Sequence, residues 1–216
     1  MRLLSGTYHQ GAQLLTMALA PFAILLVFFS KDVLLLWTGD PTVAEQAAPI
    51  LRLLAAGTLL HGLMHIPYML QLAAGWSSLS VRVNLAFAAI LVPSIIVAVP
   101  HFGAIGAAAI WCLLNVGYIL VSIQIMHRRL LPAERLRWYT EDTARPILVL
   151  MGAALLFSIV DPHTHHAVLS AMFLGIAGIS LAILAVLSAP LARETLIRQL
   201  RSFNSAKAGT QSRTLE

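Results

Sequence analysis

The sequence predicts an all-α, polytopic membrane protein of about six transmembrane helices, and three observations carry that prediction. Mean hydropathy is +0.83, with 59% hydrophobic and 11% charged residues, too apolar for a solvated surface. Apolar runs repeatedly approach or exceed the roughly 20 residues that cross a bilayer core at about 1.5 Å each. Basic residues also collect in alternate connections, as the positive-inside rule requires.

The first predicted helix runs from about Gly11 to Leu36, with Pro21 inside it. Arg2, the apolar run from Leu14 and Ala18-Leu19-Ala20 resemble a signal peptide, but Pro21 would follow the cut and the run continues to Ser30. The segment therefore reads as a retained helix, kinked where Pro21 frees the Met17 carbonyl. Trp37-Thr38-Gly39-Asp40-Pro41 reads as an interfacial aromatic followed by a turn.

The second helix, Leu51 to Gly75, organises the rest. It is long enough to span, yet carries His61, His65, Pro67 and Gln71. At about 100° per residue, Gly57, His61, His65 and Tyr68 share one face, with Arg52 roughly opposite. Polar faces in lipid point at a bundle interior or a wet cavity. A third helix follows over Leu79 to Val99, with Asn84 near its start and Pro93 inside. Pro100-His101-Phe102-Gly103 is a tight connection to a fourth, Ala104 to Met126, whose opening small residues suit close packing. On that helix Trp111, Asn115, Tyr118 and Ser122 follow the spacing of one side.

Residues 127–145 mix charge with Leu130, Leu131, Leu136, Trp138 and Tyr139, the pattern of a segment lying on the membrane surface. A fifth helix, Pro146 to Val160, is barely long enough to span. A turn bearing His163, His165 and His166 leads to a sixth, Ala167 to Leu187, and a basic tail from Arg193. The chain thus divides into residues 1–126, a surface linker 127–145, a helix pair 146–192 and a tail 193–216. With Met1 cytoplasmic, all 14 Lys and Arg except Lys31 and Arg52 fall inside, so both termini are expected in the cytoplasm.

Several chemistries find no support. The net charge of +5 reflects membrane topology, with no basic run on a fold suited to nucleic acid. Cys112 is single and sits in an apolar run, so redox chemistry is not indicated. No glycine-rich phosphate loop encodes ATP drive. None of the nine acidic residues falls at the centre of a predicted span, so a carboxylate site for coupling ions is expected to be missing. No metal site is expected: His61 and His65 stand at i, i+4, but no carboxylate or cysteine is placed to complete a zinc site. No cofactor is called for.

The succession LLLWTGD, APILRLLAAGTLLHGLMHIPYMLQLAAG, a proline-kinked helix and PHFGAIGAAAIWCLLN, covering Leu34 to Asn115, resembles the C-terminal part of the oligosaccharide flippases. These belong to the multidrug, oligosaccharidyl-lipid and polysaccharide exporter superfamily, and the likeness is to its O-antigen and related polysaccharide branch. The resemblance implies two six-helix lobes around a cavity through which a polyprenyl-diphosphate-linked oligosaccharide crosses the bacterial inner membrane. The chain would then be part of one lobe plus two extra C-terminal helices. It lacks the first lobe and the first two helices of the second, so a missing N-terminal lobe or a second copy is the expected protein partner, beside membrane lipids.

Under that resemblance Arg52, His61, His65, Tyr68, Gln71, Asn84, Trp111, Asn115 and Tyr118 are the substrate-cavity candidates, and Pro21, Pro67 and Pro93 the helix kinks. The residues alone leave alternatives open. His61 and His65 either hydrogen-bond across the bundle, to groups such as Asn84 or Asn115, or line a substrate path. Arg52 either attracts a diphosphate or snorkels to headgroups. No covalent chemistry is expected. The rival functions are a split or truncated membrane subunit that does not transport, and a membrane-embedded glycolipid transferase using a histidine base.

Overall fold

A computed structural model describes residues 2–160, 167–191 and 193–194. His163, His165 and His166 and most of the predicted tail lie outside the described residues. Among the described residues the elements are all helices, with no strand, as the apolar runs require: lipid offers no partner for an unpaired backbone group.

Helix α1 spans Arg2–Phe28, starting nine residues before the predicted position and passing through Pro21. The chain breaks at Phe29, whose φ of −113° and ψ of 29° are not helical. Phe29 is buried there, edge-on to Phe173 with ring centroids 5.7 Å apart. Helix α2 covers Ser30–Thr38 and stops at Gly39, where φ is +70° and the N–H reaches back to Leu35. Helix α3, Pro41–Leu63, starts at once: the Asp40 side chain accepts the N–H groups of Thr42 and Val43, and Pro41 occupies the first turn, where its missing N–H costs nothing.

The predicted helix 51–75 is two pieces in the structure, the end of α3 and α4, His65–Ala73. Met64 between them folds back to His61. Pro67 explains the position of the break, because the carbonyl it leaves without a helical donor is that of Leu63, the last residue of α3.

Helix α5, Ser77–Leu130, would be about 81 Å long if straight, far more than the roughly 30 Å of a bilayer core. Gly103 folds it into two arms, with φ +58° and ψ −146°, a conformation open essentially to glycine. Phe87 and Tyr118 would stand about 46 Å apart on a straight helix, yet their rings meet edge to face at 5.4 Å. The two arms are therefore antiparallel and correspond to the predicted third and fourth helices. Pro93 lies inside the first arm.

The segment expected to lie on the surface is largely helix packed into the bundle. Residues 131–134 turn, and α6 (Arg135–Arg137), a π-helical turn (Trp138–Ala144) and α7 (Arg145–Val160) then form a continuous helical run of 26 residues. That length removes the difficulty of a short fifth span. The reason is packing: Leu131 and Trp138 are buried, Trp138 with 1% of its surface exposed. Helix α8, Ala167–Ser188, completes the bundle. Leu150, Ala154, Leu181 and Ala185 of α7 and α8 join Ala20 and Ile24 of α1 in one core. The start of α1 thus meets the ends of α5 and α8 and the start of the α6–α7 run at one end of the bundle. At the other end, α2 and Pro41 border the start of α8 around a cavity of about 280 Å³.

Candidate functional site

At the site α3 packs closely against the second arm of α5. Gly57 permits it: a β-carbon there would stand 2.7 Å from Trp111 Cδ1 and 3.1 Å from the Cys112 backbone. One turn further along α3, the His61 ring lies 5.6 Å from the Trp111 ring and hydrogen-bonds Asn115, with Nδ1 to Oδ1 3.1 Å. The amide nitrogen of Asn115 donates to the Trp111 carbonyl at 2.8 Å, which fixes Oδ1 as the acceptor. His61 Nδ1 is then the donor.

His61, Asn84 and Tyr118 are shared by two adjoining cavities of about 170 and 250 Å³. Phe87, Trp111 and Asn115 complete the first, with Ala88, Leu91 and Leu114 as its apolar wall. His65 and Tyr68 line the second beside Gly62 and Met64. Amide, imidazole and phenol groups beside flat aromatic surfaces can hydrogen-bond the hydroxyls of a polar ligand while its apolar faces stack on the rings. Asn84, His61 and His65 are exposed, so the cavities open on the outside of the bundle.

Two sequence candidates lie elsewhere. Arg52 donates from Nε to Ser30 Oγ at 2.8 Å, at the α2 end of α3. Gln71 is buried; its Oε1 accepts the Ser80 hydroxyl at 2.6 Å and its backbone carbonyl accepts the Trp76 N–H at 2.9 Å, so it pins the turn between α4 and α5. Arg129 covers the Trp76 ring of that turn at 4.3 Å.

A carboxylate is also buried in the bundle, outside the spans that the sequence predicts. Asp142, in the π-helical turn, is fully buried against α1, where it meets His9 Nδ1 and accepts from Gln13 Nε2 at 2.9 Å. The signal in the sequence was a polar stripe, His9, Gln13 and Thr16, along one side of an apolar helix read as starting later. Among the described residues no group of three or more His, Cys, Asp or Glu side chains is arranged to hold a metal ion.

Comparison with known proteins is narrow. No curated protein and no solved structure matches the chain. Residues 2–98, a little under half of the 216, match the family model MatE, so α1 to α4 and most of the first arm of α5 are similar to MatE proteins.

Proposed function

We propose that this chain is a membrane transport protein of the exporter superfamily, and that it serves as part of a flippase carrying a polyprenyl-diphosphate-linked oligosaccharide from the cytoplasmic to the external leaflet. The MatE match over residues 2–98 and helices long and apolar enough to span support the transport reading. The observation that carries the finer reading is the His61–Asn115 pair, set between two cavities walled by Trp111, Tyr118, Phe87 and Tyr68. Those groups suit sugar hydroxyls and ring faces, and among the described residues neither cavity that His61 or His65 lines holds an acid for transferase chemistry.

The cavities are far smaller than a lipid-linked oligosaccharide and open outward, which favours a path completed by a facing lobe or a second copy. The basic residues favour an inner-membrane orientation with both termini cytoplasmic. Expression of the chain in a bacterium lacking its polysaccharide flippase, alone and with a candidate partner lobe, tests the proposal. Recovery of surface polysaccharide that is lost in Trp111→Ala supports it. Stable insertion without recovery in either setting favours the non-transporting subunit.

A further inference from the structure

A chain of three ionisable side chains runs from the surface into the bundle at the end opposite the α2–α8 cavity. Glu134, in the turn after α5, borders an open cavity of about 550 Å³ with Ser5, Pro132 and Arg137. Its side chain is 26% exposed, whereas those of His9 and Asp142 are 0%. Glu134 Oε2 stands 3.0 Å from His9 Nε2, and the other ring nitrogen, Nδ1, meets Asp142 Oδ2. Both ring nitrogens therefore face carboxylate oxygens. A neutral imidazole offers one N–H, which leaves a lone pair against a carboxylate; one added proton satisfies both contacts.

We propose that Glu134, His9 and Asp142 form a proton-binding site, loaded from the surface cavity through Glu134. A proton taken from water by the Glu134 carboxylate passes to His9 Nε2, giving an imidazolium held between two carboxylates. The proton count is the same when the Nδ1 proton rests on Asp142 instead, so the site carries one added proton in either form. Gln13 does not compete for it: an amide is far too weak a base, and Nε2 donates to Asp142 Oδ1 while Oε1 accepts the Leu191 N–H at 3.0 Å.

The surrounding charges suit this occupancy. Arg137 lies 3.9 Å from Glu134 Oε2 and shares its charge between that carboxylate and Glu141, to which its Nε donates at 3.0 Å. Tyr8 packs edge-on to His9 from α1, His127 contacts Tyr8 from α5, Tyr139 meets Trp138 edge to face beside them, and Arg135 turns to Gln124. The site joins α1 to the turn after α5, to the π-helical turn and to the end of α8, so its proton bears on how these ends are held together. The inference does not depend on what the protein transports.

Nitrogen NMR of ring-labelled histidine in the full chain, reconstituted in lipid nanodiscs, tests it between about pH 5 and about pH 9. The His9 signal is assigned by its loss in His9→Gln or, if that variant does not fold, by its displacement in Glu134→Gln. Expected is a ring with both nitrogens protonated at about pH 6, releasing one proton in a step that moves down by about one pH unit or more in Glu134→Gln and in Asp142→Asn. Exchange of the ring protons with water slows about tenfold or more in Glu134→Gln. A His9 ring that stays neutral in one tautomer throughout, a step unmoved in both variants, or unchanged exchange overturns the proposal.

Discussion

The indole of Trp111 lies so close to Gly57 that a β-carbon on the glycine would stand 3.0 Å from Nε1 as well as 2.7 Å from Cδ1. Gly57→Ala therefore has to push the ring out of the α3–α5 contact and into the first cavity. The expected loss is about 1–3 kcal/mol, from overpacking at a helix contact. The thermal midpoint of the purified variant measures it, and an unchanged midpoint would mean that the two helices separate freely.

Asn115 holds His61 by its only described side-chain bond, and Asn115 is itself buried. Asn115→Leu removes the acceptor of the exposed His61 ring, at a cost of about 0.5–1.5 kcal/mol, the contribution of one ordinary hydrogen bond. Combining it with His61→Ala in a double-mutant cycle should give a coupling of about 0.5–1.5 kcal/mol. Strict additivity of the two changes would show that the bond contributes nothing.

Glu134 sets an acid limit on the fold. The Ser5 hydroxyl, 2.6 Å away, and then His9 and Arg137 hold its carboxyl below the usual carboxylate range, against the effect of its partial burial. Its folded-state pKa is thus depressed, so its contribution is present above the unfolded pKa and is lost as pH falls through the folded one. Ser5→Ala raises the folded value, and the loosening on acidification should begin at higher pH. Near-ultraviolet circular dichroism followed downward from neutral pH measures the onset. The same onset in both proteins would remove Ser5 from the account.

Much of the α3–α5 site is legible in the sequence because its residues are anomalies. His61, Asn84, Asn115 and Tyr118 stand in apolar runs where a polar group needs a reason, and helical spacing puts them on shared faces. Gly39-Asp40-Pro41 is legible for a different reason: helix stop, cap and start each demand a residue type, and all three occur in order. Asp142 is hidden by its company. Among Arg137, Glu141 and Arg145 it looks like one more surface charge, and only the position of His9, 133 residues away, reveals otherwise. The break at Phe29 is equally hidden, since the contact with Phe173 that accompanies it comes from the far end of the chain.

The bond from the Leu191 backbone to Gln13 spans 178 residues. During synthesis the side chain of Gln13 enters the membrane long before that partner has been made. Until α8 arrives, its amide oxygen and the Asp142 carboxylate are held by a half-built groove beside α1. The bundle is therefore assembled like a clasp: the strap laid down with α1 waits open while α2 to α7 are made, and is shut when α8 emerges.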